Sequence, residues 1–207
     1  MAVLPALWKR VKMKMKVIPE KVDKERLMEI VGKNSYLGIN NGSAYYDIIK
    51  TLPEKGCLLE IGTGAGHSAT FFAYAKPEWI IYTIDSYKVA SDYMGAYDLN
   101  SLGEFVKNWQ RHGLYNILPI INNSFNMPWD IMVDALYIDG EHTYTSVKSD
   151  FERFTPFLKP GGIVMMDDYS IIKPPKFEVN AYVNKELQDD WNIKPVENGF
   201  GVILWRK

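Results

Sequence analysis

The chain has 207 residues, 47% hydrophobic and 24% charged, which is enough for one α/β domain with its own core and too little for two. Its 25 acids and 24 bases leave a net charge of −1, which excludes the strongly basic surface of a general nucleic-acid binder and leaves only a local patch open. A single cysteine, Cys57, excludes an internal disulfide, and no apolar run reaches the ~20 residues of a membrane-crossing helix.

In chain order, Lys9, Arg10, Lys12, Lys14 and Lys16 alternate with Val11, Met13 and Met15. The pattern reads as a solvated end or as a basic arm that packs on a partner subunit, so a homo-oligomer stays open. No secretory apolar run precedes it. With a lone cysteine this fits a cytoplasmic protein. Residues 1–50 read as this arm plus covering helices, and 51–207 as the main domain. Strands are expected at Cys57–Ile61, Trp79–Ile84, Ile117–Ile121, Ala135–Ile138 and Ile163–Met166. Between them, helical periods run from about Gly66 to Ala75, from Ser101 to His112, and from Thr145 to Leu158. Ser101 with Glu104 makes a capping-box pattern, and His112 at the helix end favours the dipole when charged. Val147, Phe151, Phe154 and Leu158 share one helical face. Lys159-Pro160-Gly161-Gly162 reads as a stop and turn. Ile193 to Trp205 reads as a hairpin turning at Glu197-Asn198-Gly199. Strands alternating with helices predict a mainly parallel sheet covered on both faces. The stretch Tyr87–Tyr97 reads as a loop, either partly buried or a lid over a substrate.

Glu60-Ile61-Gly62-Thr63-Gly64-Ala65-Gly66 follows the first strand and opens a helix, where glycines let the backbone turn and a ligand approach it. Asp85 ends the next strand, 25 residues after Glu60, where a carboxylate can accept from both ribose hydroxyls of an adenosine. A nicotinamide fingerprint would need its third glycine at position 67, which is His67. Glu60 also suits the ammonium of an amino-acid ligand better than a pyrophosphate.

These residues resemble motifs I and II of the class I S-adenosylmethionine-dependent methyltransferases. The resemblance covers roughly residues 50 to 205. It implies a Rossmann-like, seven-stranded, mostly parallel sheet with helices on both faces and a C-terminal antiparallel hairpin, and makes 51–207 the cofactor domain. It places the cofactor on Glu60, Gly62, Gly64 and Asp85, with the adjoining Thr63, Ser68 and Ser86. Asn123-Ser124 resembles the pair beside the adenine, with Asn123 standing where the family has an acid. A structural strand-to-helix turn remains the alternative for the glycines.

The fourth strand ends in Asp139-Gly140-Glu141-His142-Thr143-Tyr144, and the fifth in Asp167-Asp168. Strand ends meet at one crevice in an open parallel sheet, so Asp139, Asp167 and Asp168 should converge. Converging carboxylates repel unless a cation or protons compensate, and hard oxygen donors suit magnesium. His142 could take a proton from an attacking hydroxyl. With Gly161-Gly162, this block resembles the metal-dependent O-methyltransferases of macrolide and aminocoumarin sugars. That resemblance implies Mg2+ or another divalent cation on Asp139, Asp167 and Asp168, with Asp139 also beside the cofactor. It makes His142 the base and a small-molecule or sugar hydroxyl the acceptor. The alternatives are turn-capping or solvated aspartates, a structural His142, a metal-free methyltransferase, a nicotinamide-dependent oxidoreductase, and a non-catalytic cofactor binder.

Overall fold

The computed structural model describes residues 22–32, 37–87 and 101–207. The alternating basic segment and positions 88–97 of the tyrosine-rich stretch lie outside them. Two helices, α1 (Lys24–Gly32) and α2 (Ile39–Lys50), precede the sheet. The strands are β1 (Gly56–Ile61), β2 (Trp79–Asp85), β3 (Ile117–Ile121), β4 (Val133–Ile138), β5 (Leu158–Met166), β6 (Trp191–Pro195) and β7 (Val202–Arg206), in the order β3-β2-β1-β4-β5-β7-β6. The first five are parallel, and β7 runs antiparallel to both β5 and β6. Helices α3 (His67–Ala75), α4 (Ser101–His112), α5 (Tyr144–Phe154) and α6 (Val179–Glu186) complete the layers. The Rossmann-like arrangement is the one the motifs imply.

Strand alternation divides the core in two. Leu58 packs with Tyr45, Phe71, Phe72, Trp79 and Tyr137 on the face covered by α2 and α3. Its neighbour Leu59 packs with Leu136, Val147, Phe151, Phe154 and Tyr182 on the face covered by α5 and α6. All residues of β4 are buried, which explains why Val-Asp-Ala-Leu-Tyr-Ile reads as a nearly continuous apolar run: parallel strands are covered on both faces. Among the described residues, no helix is long and apolar enough to cross a membrane.

Two local expectations are corrected. The helix expected to reach Leu158 ends at Phe154, and a 3-10 turn at Thr155–Phe157 carries Pro156 in its first positions. Leu158 therefore already belongs to β5, opposite Val133. Lys159-Pro160-Gly161-Gly162 is then the early part of that strand rather than a turn before it. The register shifts between Val133 and Ala135, so Pro160 and Gly161 sit in an irregularity where a missing N–H costs no ladder bond. His112 ends α4 as expected; burial lowers its pKa, and Tyr74 Oη lies 3.2 Å from its Nδ1. Helix α6 has no counterpart in the sequence reading. The hairpin turns as expected, with Gly199 N donating to Val196 O and Asn198 in the left-handed region at φ 55.

Candidate functional site

The glycine turn joins β1 to α3 at the carboxyl edge of the sheet. Gly62 adopts φ 93, and a Cβ there would stand 2.1 Å from the carbonyl oxygen of Asp139. The close approach of the β1 and β4 ends therefore requires glycine. Gly64 adopts φ 48 with open space where a Cβ would be. Asp85 Oδ2 accepts from Thr63 N at 3.0 Å and Gly64 N at 2.9 Å, and its Oδ1 from Tyr87 N at 2.7 Å. The aspartate braces the turn from the end of β2. A carboxylate offers about four acceptor positions, so Asp85 keeps capacity for a ligand hydroxyl, though less than two free oxygens would.

Glu60 lies fully buried beneath this turn. Its Oε2 accepts from the Thr83 hydroxyl, which itself contacts the Thr63 hydroxyl, while Oε1 has no partner among the described residues. Burial pushes Glu60 up to about 8, a rise that the Ser68 and Thr83 hydroxyls only partly oppose. Ser68 is buried in the first turn of α3, and Ser86 follows Asp85. Asn123 is exposed; its side chain accepts from Phe125 N at 2.9 Å and caps a short 3-10 turn that begins at Ser124.

At the ends of β4 and β5, Asp139, His142 and Asp168 each place one potential ligand atom within 4.8 Å of the others. His142 Nε2 lies 3.1 Å from Asp168 Oδ2 and 4.0 Å from Asp139 Oδ1. Phe177 stacks on the imidazole at 5.2 Å between centroids, which fixes its plane. Asp168 holds a left-handed φ of 55, a conformation Asp tolerates better than most residues. Asp167 is placed differently from the other two acids. It is buried, its Oδ1 accepts from Asn41 Nδ2 at 2.7 Å and from Asp168 N at 2.9 Å, and its Oδ2 accepts from Tyr137 Oη at 3.1 Å. The same Tyr137 hydroxyl lies 3.2 Å from Asp139 Oδ2. Burial and mutual repulsion raise Asp139 well above the usual carboxylate range, and burial raises Asp167 and Asp168 to about 6. Burial lowers His142 to about 4, so the imidazole is neutral near pH 7.

Sequence reasoning missed three residues of this site: Tyr137, Tyr45 and Asn41. Tyr137 had a signal, because it precedes Asp139 by two positions and so shares its strand face. Tyr45 donates to Met166 O at 2.9 Å beneath the end of β5. Asn41, buried on α2, donates to Asp167 while its Oδ1 accepts from Phe200 N at 2.9 Å and Gly201 N at 3.0 Å. One amide thus joins α2, the β5 end and the β6–β7 connection. Asn41→Ala removes the acceptor of one buried and one part-buried N–H group and one of the two donors to Asp167 Oδ1, at about 1–3 kcal/mol for each group left unpaired before relaxation. The expected loss is about 2–4 kcal/mol, read in a thermal melt as a Tm about 5–15 °C lower. An unchanged Tm would refute this role.

Comparison with known proteins agrees with this fold. Residues 59–169 match the family model described as a methyltransferase domain. A protein of Sinorhizobium fredii is 34% identical over 80 residues, covering 38% of this chain and 9% of its own length. One of Acanthamoeba polyphaga mimivirus is 28% identical over 116 residues, covering 54% of this chain and 50% of its own. The chain thus spans half or less of these curated relatives. Among solved structures, a Staphylococcus aureus protein assigned to the caffeoyl-CoA O-methyltransferases superposes with a TM-score of 0.65 at 18% identity, covering 98% of both chains. The O-methyltransferase NovP gives 0.63 at 19% identity, covering 89% of this chain and 88% of its own. The methyltransferase MycE, solved with Mg, S-adenosylhomocysteine and mycinamycin VI, gives 0.61 at 17%, covering 91% and 55%. At these identities the structural likeness is one of fold.

Proposed function

Because the chain belongs to the methyltransferase-domain family, we propose that it is an S-adenosylmethionine-dependent O-methyltransferase, assisted by a divalent metal and acting on a hydroxyl of a small molecule or sugar. The observation that carries this reading is adjacency: the Gly62 turn touches the backbone of Asp139, whose side chain joins Asp168 and His142. Of the proteins similar in fold, NovP is an O-methyltransferase by name, and the methyltransferase MycE was solved with a metal and the product cofactor. The family match sets aside the nicotinamide reading.

The residues fit both groups. The partnerless Oε1 of Glu60 suits the ammonium of the methionine portion, and the open space at Gly64 lets a ligand reach the main chain. Asp85 would take a ribose hydroxyl while bracing the turn, and Ser124 and Asn123 would border the adenine. S-adenosylmethionine supplies an electrophilic methyl group on a sulfonium. A divalent cation lowers the pKa of a hydroxyl beside it. Asp139 and Asp168 would hold that cation, with Asp167 behind them orienting Tyr137 and Asn41. His142, neutral and fixed against Phe177, would accept the acceptor's proton at Nε2, where Asp168 stabilises the resulting charge. A second reading rests on the shared ligand distance: His142 is itself a ligand, and an oxygen–nitrogen set then favours manganese over magnesium.

Calorimetry with S-adenosylhomocysteine tests the cofactor. Wild type should bind, and Asp85→Ala should bind at least about 10-fold more weakly, the loss of one or two charge-assisted hydrogen bonds. No binding to the wild type would remove the methyltransferase reading. The acids give a second test. Their pKa values lie above those of unfolded chains, so the folded protein binds more protons and is relatively destabilised as pH rises from about 4 through about 6. The penalty is full above that window, where a bound cation relieves it. Manganese or magnesium should therefore raise Tm more at pH 7.5 than at pH 4.5. Equal shifts at both pH values would argue against metal at these carboxylates.

A further inference from the structure

The Tyr137 hydroxyl sits where two acids meet. Its ring is fully buried, 5.2 Å from Phe72 and 5.7 Å from Tyr45 between centroids, both contacts edge-on. That packing carries Oη to 3.2 Å from Asp139 Oδ2 and 3.1 Å from Asp167 Oδ2. A phenol has one hydrogen to give. Asp167 has two other donors, Asn41 Nδ2 and Asp168 N, both on its Oδ1. Among the described residues, the Asp139 carboxylate has no donor within hydrogen-bond distance except Tyr137. Its second oxygen, Oδ1, is the one that faces His142 Nε2, at 4.0 Å. Tyr137 thus divides the carboxylate: Oδ2 is turned inward onto the phenol, and Oδ1 is left toward the space shared with His142 and Asp168.

We propose that Tyr137 is a positioning residue that limits Asp139 to one ligand oxygen and so selects a small divalent cation over calcium. The inference rests on the reading of Asp139 and Asp168 as cation ligands. Calcium gathers about six to eight oxygens and often takes both from one carboxylate, whereas magnesium holds to a tight octahedron and manganese accepts one. An oxygen tied to Tyr137 is withheld from a cation that wants the pair. The same bond fixes the carboxylate's orientation, since no other described residue donates to it. Loss of a partner that orients a metal ligand typically costs about 10–100-fold in metal affinity. Tyr137→Phe removes the hydroxyl and keeps the ring against Tyr45 and Phe72, so it separates the hydrogen bond from the packing.

Calorimetry on the full chain with Mn2+ and with Ca2+ tests the assignment. Wild type should bind Mn2+ at least about 10-fold more tightly than Ca2+. Tyr137→Phe should weaken Mn2+ at least about 10-fold and Ca2+ less than about threefold, because the freed Oδ2 compensates calcium alone. The preference between the two ions therefore narrows. S-adenosylhomocysteine affinity without metal should stay within about threefold. Circular dichroism and a cooperative melt should report an intact fold. Equal weakening of both ions would make the hydroxyl a structural group only and overturn the proposal, as would unchanged Mn2+ affinity. Wild type that binds Ca2+ as tightly as Mn2+ would overturn it without any variant. Wild type that binds neither ion would remove the metal reading itself and this proposal with it, a different failure from metal binding that ignores the hydroxyl. None of these readouts depends on methyl transfer.

Discussion

Asp168→Asn should lower metal-dependent methyl transfer about 10³-fold while leaving S-adenosylhomocysteine affinity within about threefold. The size follows from position: Asp168 is the acid nearest His142, so its loss removes a cation ligand and the charge that would stabilise a protonated imidazole. Asparagine keeps the side-chain shape and tolerates the left-handed backbone, whereas alanine would add strain. The fold should not suffer, because a buried carboxylate pushed up to about 6 is a liability when ionised. His142→Asn measured beside it separates the two readings of that residue. As base, its loss lowers kcat about 10²–10⁴-fold and leaves metal affinity intact. As ligand, its loss weakens the metal itself and shifts the preference from manganese toward magnesium. Full activity of Asp168→Asn in excess chelator would end the case for metal assistance.

Gly62→Ala should be among the most damaging single substitutions in the described chain, and Gly64→Ala among the more informative. At Gly62 the added methyl meets the Asp139 carbonyl oxygen at 2.1 Å and the Gly140 nitrogen at 2.8 Å, all backbone, in a conformation alanine disfavours. No rotamer relieves that contact. The two strand ends must separate, and a cost of about 4 kcal/mol or more is expected, lowering Tm by about 10 °C and loosening the acid cluster with it. At Gly64 the methyl meets nothing, so only the backbone cost of about 1 kcal/mol applies. On the proposed reading its Cβ would enter the space the cofactor takes, and S-adenosylhomocysteine affinity should fall well beyond that stability cost. If both variants lose the same stability and the same affinity, the turn is structural and the open space at Gly64 has no ligand meaning.

The parts of this molecule legible in sequence are those whose cause is local. Gly62, Gly64 and Asp85 announce themselves because a strand, a turn and the next strand's end are short-range features. Asp139, His142 and Asp168 were readable because parallel strands gather their carboxyl ends. The boundary at Leu158 failed for a competing local cause: helical period and strand alternation both fit a single leucine there, and Pro156 decided for the strand. Helix α6 was too short to announce itself, one eight-residue stretch after Pro174-Pro175. The distinct station of Asp167 was invisible for another reason. Its neighbour Asp168 has the same side chain, and contacts with Tyr137, 30 positions away, and Asn41, 126 positions away, tell them apart. No periodicity records a contact of that span.

The three hydrogen bonds of Asn41 also bear on how the molecule comes into being. Its acceptor oxygen is claimed by Phe200 and Gly201, which lie 159 and 160 positions later in the chain. As the chain leaves the ribosome, α2 emerges before β1, yet the oxygen of its Asn41 amide has no partners until the β6–β7 connection has been made. Closing so long a loop has an entropic cost that earlier contacts do not offset. The nascent glycine turn, with β1 and β2 already paired, can therefore assemble well before the acid end of β5 is locked. The buried half of the site is a late event in folding, and a chain stalled short of residue 200 would hold its glycine turn without the latch that seats Asp167.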